Sequence, residues 1–85
     1  MKRLSTEELI LLMWSAHLAV ANGQMIRHVS TGGEYVVRGH SLRVGDLAPL
    51  VHYSPLLKGV VVFSRTVEAI QSKFVRMDGE DWDLI

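Results

Sequence analysis

Ser5-Thr6-Glu7-Glu8-Leu9-Ile10-Leu11-Leu12-Met13-Trp14-Ser15-Ala16-His17-Leu18-Ala19-Val20-Ala21-Asn22-Gly23 is the stretch that decides the architecture. Ser5 followed three residues later by Glu8 forms a capping box, in which hydroxyl and carboxylate each satisfy a free backbone amide. Glu7 and Glu8 also suit the positive end of a helix dipole. Asn22-Gly23 is a stop, because glycine accepts the left-handed backbone that ends helices. The predicted helix spans 5–22.

Between its caps, Leu9 to Ala21 holds only Ser15 and His17 as polar residues. On a helical wheel Glu8, Ser15 and Asn22 fall on one line, and nearly everything else is apolar. Such a helix is normally buried on several sides. One small sheet covers one side, so the rest calls for a second copy, another protein or a membrane. A membrane span needs about 20 apolar residues, and this run is shorter and contains His17. Met1-Lys2-Arg3 with Ala19-Val20-Ala21 imitates a signal peptide, but Glu7 and Glu8 sit where such segments lack acids. A surface-lying amphipathic helix would carry lysines or arginines on a broader polar face.

After Gly23 the period becomes strand-like. Strands are predicted at Met25–Ser30, Glu34–His40, Leu50–Tyr53 and Val60–Phe63. Thr31-Gly32-Gly33 is the first turn and Arg43-Val44-Gly45-Asp46 the second. The unbroken Val60–Phe63 run reads as a strand buried on both faces. Thr66–Phe74 reads as a short helix capped by Thr66, and the tail, with Trp82 and Ile85, as a last edge strand. The expectation is one α+β domain over 1–85. Its helix (5–22) packs on a small antiparallel, SH3-like half-barrel (23–65), and a short helix and tail (66–85) follow.

The chain has 85 residues, nine basic and nine acidic side chains and no cysteine. Disulfides and thiolate chemistry are excluded, and the composition fits a reducing, cytoplasmic setting. A neutral total argues against a duplex-DNA binder. The charges are unevenly placed: 23–65 carries Arg27, Arg38, Arg43, Lys58 and Arg65 against Glu34 and Asp46, whereas 66–85 is acidic. The tail either folds back onto the middle or forms a solvated face.

Aligning Tyr35 with His28, and Val37 with Ile26 and Val51, puts Ile26, His28, Tyr35, Val37, Val51 and Tyr53 on the core face. Arg27, Arg38, His40 and His52 then share the outer face, on an apolar floor that includes Val36. With Arg43 and Arg65 they are the candidate residues for a carboxylate or phosphate. The plain alternative is a solvated outer face. Leu11, Met13, Trp14 and Leu18 are the candidate interface to a second copy or a partner.

Catalytic arrangements find little support. His40-Ser41 with Asp46 nearby has the residue types of a hydrolase, but adjacent strand residues point to opposite faces. There is no nucleophile elbow, phosphate loop or dinucleotide fingerprint. His28, His40 and His52 are predicted not to converge, so no metal and no cofactor is expected. The reading is a non-enzyme.

Met25-Ile26-Arg27-His28, Thr31-Gly32-Gly33, Tyr35-Val36-Val37, Leu50-Val51-His52-Tyr53, Arg65-Thr66, and Asp78-Gly79 with Trp82 and Ile85 follow one another in an order that resembles a bacterial and phage family, domain of unknown function sixteen fifty-three. The resemblance covers residues 23–85 and implies a compact β-rich fold without an assigned activity. A His-Ser-Glu-Thr segment of that family falls here on Arg43-Val44-Gly45-Asp46, so a role carried by its histidine or glutamate has no counterpart. The N-terminal helix is an addition to the family's short form.

The functional expectation is a non-catalytic, homo-oligomeric binding module for a small anionic ligand such as a nucleotide. In a phage setting, which the resemblance permits, it would sequester a host defence signal. The alternative is a protein–protein inhibitor or adaptor acting through the apolar helix. Single-stranded nucleic acid ranks below both, because only six aromatics are present and two are assigned to the core.

Overall fold

The computed structural model describes residues 4–57 and 59–82. In chain order it contains α1 (Thr6–Ala19), β1 (Met25–His28), β2 (Glu34–Leu42), β3 (Pro49–Pro55), β4 (Phe63–Thr66), α2 (Val67–Lys73) and β5 (Phe74–Arg76). The strands make one open antiparallel sheet ordered β4-β3-β2-β1-β5. The α+β expectation holds, and the sheet is compatible with a half-barrel.

The start of α1 is the predicted capping box. Ser5 Oγ accepts from the Glu8 amide and Glu8 Oε1 from the Ser5 amide, both at 3.1 Å. Its end comes three residues before Asn22. Val20 turns extended at φ −138° and ψ 100° and is fully buried in the core. Burying a valine is worth about 1.5–3 kcal/mol, enough to draw a β-branched residue out of a last helical turn. Gly23, at φ +83°, then swings the chain back, and its amide donates to the Val37 carbonyl at 2.9 Å.

The core comprises Ala19, Val20, Ile26, Val37, Val51, Tyr53, Ile70 and Phe74, with Tyr35, Val67 and Trp82 packed against it. Both helices therefore lie on one face of the sheet, called the covered face below. Of the residues of α1, only Ala16 and Ala19 are buried. Its last turns approach the sheet through small side chains, and Gln71 Nε2 of α2 donates to the Ala19 carbonyl. Thr66 caps α2 as predicted, accepting from the Ala69 amide at 3.2 Å.

Four expectations are corrected. First, Tyr35 opposes Ile26 rather than His28. The slip is two residues, so each side chain keeps its face. Residues 29–33 make the connection, closed by Gly32 N–H to His28 O at 2.8 Å. Second, Val37 opposes Tyr53, but Gly39 opposes His52, which leaves Arg38 as the extra residue of a bulge. Beyond it His40 opposes Val51 and joins the covered face, not the outer one. Third, Val60–Phe63 is not a strand buried on both faces. Val60 is 93% exposed, and pairing to β3 begins only at Phe63. Fourth, the last edge strand is β5, which follows α2 directly and pairs with β1. Trp82 docks as a side chain, its Nε1 donating to the Phe74 carbonyl at 3.0 Å, and Ile85 lies outside the described residues. Within the tail segment Arg76 pairs with Asp78, while β5 lies against β1 of the middle.

Candidate functional site: an exposed apolar helix and a divided set of cations

Strand alternation and the bulge sort the six predicted anion-binding residues. Arg27, Arg38 and His52 lie on the open face, His40 and Arg65 on the covered face, and Arg43 in the β2–β3 turn. Each has an intramolecular partner. Arg27 pairs with Glu34 at 3.1 Å. Arg38 Nε donates to Ser54 Oγ at 3.2 Å. His52 Nε2 and Ser41 Oγ share a hydrogen bond of 2.6 Å. Arg43 grips Asp46 through two guanidinium nitrogens, and this hydrogen-bonded pairing, with the Ala48 amide, holds the Asp46 carboxyl well below the usual range. Both side chains are about half exposed, so the pair shapes the turn rather than stabilising the core. Leu47 in that turn sits at φ +56°, which the Arg43–Asp46 clasp and the Arg43 N–H to Ala48 O bond hold in place.

Arg65 is the most enclosed of the charged residues in this set. Its Nε donates to the Tyr53 hydroxyl at 2.8 Å, and its guanidinium carbon lies 5.7 Å from the centre of the Phe74 ring. Tyr35, Tyr53 and Phe74 pack edge to face at 5.3–5.8 Å around it. That is a preferred aromatic geometry and a cation–π contact, and both serve the core. His28 belongs to the same cluster, set edge-on to Phe74 at 4.8 Å. Its Nδ1 is held by Ser30 and Thr31 of the turn, not by Tyr35.

His40 is the residue that the bulge changes most. Its Nε2 lies 2.6 Å from the Val20 carbonyl, just beyond α1. A carbonyl can only accept, so Nε2 carries the proton. Nδ1 is then the bare nitrogen, and it is buried without a partner among the described residues. Protonating it would bury an N–H with no acceptor. Burial accordingly pushes the His40 pKa below its ordinary value, and nearby His17 and His52 push the same way, against the Val20 hydrogen bond. His17 of α1 lies against it, with ring centres 4.1 Å apart. His40 thus fastens helix to sheet. His28 ends β1 beside the core aromatic cluster, His40 lies on the covered face and His52 on the open face, and the described residues hold no group of three metal-binding side chains.

The predicted interface residues have a different fate. Leu11, Trp14 and Leu18 are 66%, 62% and 65% exposed. Ile10, which the sequence reading did not single out, is exposed beside them. At 3.6 residues per turn these four fall within about 100° of one another, opposite the buried Ala16 and Ala19. Leu11 and Leu18 stand seven residues apart in α1 with Trp14 between, the spacing of a helix–helix seam. Met13 is half-buried and, with Thr6, Leu9, Ile10, Trp14 and His17, lines an open groove of about 380 Å³ beside the stripe. The short polar line of Glu8 and Ser15 is exposed too, but it does not account for the apolar surface next to it.

No family model, curated protein or solved structure matches the chain. Its function is therefore read from this geometry. No helix among the described residues is long and apolar enough to cross a membrane.

The bulge was missed from the sequence, yet it had a signal, because a glycine inside a strand, here Gly39, commonly marks one.

Proposed function

We propose that this protein is a non-catalytic association module whose α1 packs against the α1 of a second copy. The observation that carries the reading is the stripe of Leu11, Trp14 and Leu18, each about two-thirds exposed on a helix whose opposite face is buried. Trp14 alone offers on the order of 100–150 Å² of apolar surface. With Ile10, Leu11 and Leu18 the stripe reaches the ~300–600 Å² of the largest patches found on monomers. A standard interface takes about 800 Å² from each partner, so the stripe supplies half or more of one.

A second copy is the favoured occupant because the surface is self-complementary. The seam carries leucines at one seven-residue spacing and an aromatic knob between them. A groove of matching apolar character runs along the same helix. Sedimentation velocity over a concentration series tests this. A dimer that Leu11→Glu and Leu18→Glu dissolve, with unchanged circular dichroism, supports it. A chain that stays monomeric at every concentration overturns it, as does a dimer indifferent to both variants.

One observation favours binding of a small anion as a second activity. Arg38 and His52 share the open face with the hydroxyls of Ser41 and Ser64, and β2 from Val36 to Ser41, β3 and β4 bring no acid to it. A thermal-shift series with inorganic phosphate and nucleotides reads this directly, since a ligand bound to the folded chain must raise its melting temperature.

A further inference from the structure

A trough of about 600 Å³ lies between α1, α2 and the β2–β3 turn, larger than the groove beside the α1 stripe. Its origin is the way the helices meet. The buried residues of α1 are Ala16 and Ala19, short side chains that leave space beside them. Gln71 Nε2 of α2 reaches the Ala19 carbonyl only at 3.4 Å. Leu12, Ala19, Pro49 and Val67 give the trough apolar walls, and Ser15, Arg43, Asp46 and Glu68 bring polar groups to it. Apolar walls with few polar groups, in a cleft of about 300–1,000 Å³, are the make-up of a small-molecule site.

The charges decide what such a trough can hold. Arg43 places Nε and Nη2 on the two oxygens of Asp46, so that pair is neutral as a unit. Glu68 has no ion pair among the described residues, and no lysine or histidine lines the trough. The lining therefore carries one uncompensated negative charge. A phosphate or carboxylate would meet Glu68 while the guanidinium is already engaged. A bare metal ion wants several oxygen ligands, and the described residues hold no group of three metal-binding side chains. An ammonium group matches Glu68 by charge, and the Ser15 hydroxyl offers a neutral acceptor in the same trough.

We infer that this trough binds a small organic ammonium ion with an apolar body, its charged end at Glu68 and its carbon chain along Leu12, Ala19 and Val67. Ser15, on the polar line of α1, then belongs to a binding wall. None of Ile10, Leu11, Trp14 and Leu18 lines the trough, so the ammonium site and the α1 contact use different residues.

Amide-resolved NMR of the full chain, titrated separately with hexylammonium, hexanol and hexanoate, tests this. Hexylammonium is expected to shift the amides of Ser15, Val67 and Glu68 in a saturable way. Hexanol has the same chain without the charge and should bind roughly three- to fivefold more weakly, the reach of one exposed ion pair. Hexanoate should bind more weakly still. Added salt should narrow the gap between hexylammonium and hexanol. Glu68 is exposed, so Glu68→Gln leaves the core untouched. It is expected to bring hexylammonium down to the level of hexanol, with hexanol itself unchanged. Hexanoate binding as tightly as hexylammonium overturns the proposal, as does a preference for the ammonium that survives Glu68→Gln. The absence of any shift in the trough overturns it too. So do shifts confined to Leu11, Trp14 and Leu18, which place the alkyl chain on the stripe.

Discussion

Replacing Leu18 by alanine measures what the α1 stripe contributes to association. The change removes three carbons, each worth about 0.8 kcal/mol when buried. Leu18 is 65% exposed in the single chain, so about two-thirds of that gain awaits a partner, or ~1.6 kcal/mol. A two-fold contact counts the loss twice, giving about 3 kcal/mol, which weakens the dimer roughly 100- to 200-fold. Alanine is the best helix former, so α1 itself is not weakened. Sedimentation equilibrium at several loading concentrations gives the dissociation constants of wild type and variant. Ser15→Ala, on the polar line of the same helix, serves as the control and should change the constant little. A shift below about threefold for Leu18→Ala would show that this stripe is not the contact surface.

Ile26→Ala removes a side chain with no exposure, next to Tyr35 across the strand pair, and should cost about 2–5 kcal/mol of folding free energy, read by urea unfolding. Ser5→Ala breaks one half of the capping box and should lower stability by ~1 kcal/mol, with less helix signal, while the sheet stays intact. His40 should make the fold acid-sensitive near neutrality. Its folded pKa lies below the ordinary 6.5, so below about that pH the unfolded chain takes up a proton that the folded chain resists. Stability is expected to fall between pH 7.5 and pH 5.5, and His40→Gln should flatten the slope while its amide can still donate to Val20. Asp46 and Asp78 do not contribute in that window, because their lowered carboxyl pKa values place their effect at more acid pH. An equal slope in wild type and His40→Gln would count against the assignment.

Local signals carried over well from sequence to structure. The Ser5–Glu8 box and the Thr66 cap act within one helical turn, and both formed as written. Long-range pairing was less legible. The hairpin after His28 closed with five connecting residues, and nothing in Thr31-Gly32-Gly33 states that length. The two-residue slip did no harm to face assignment, whereas the single extra residue at Arg38 moved His40 across the sheet and divided the basic stripe. Val60–Val62 misled for a related reason. An apolar run announces that a segment prefers cover, and it does not say whether the cover comes from the same chain. The apolar excess of Leu11, Trp14 and Leu18 was legible because no fold of this size has enough surface to hide a helix apolar on nearly every side.

The anchoring of α1 has a mechanical side. Its buried residues are confined to Ala16 and Ala19, with Val20 and His40 fastening the end. Thr6 stands ten residues ahead of Ala16, about 15 Å along the axis at 1.5 Å per residue. The helix is therefore a cantilever clamped at one end, and a tilt of ~10° at the clamp moves its tip by ~2–3 Å. A contact made near the free end therefore bears on the Ala16–Val20 clamp through a lever arm of about 15 Å.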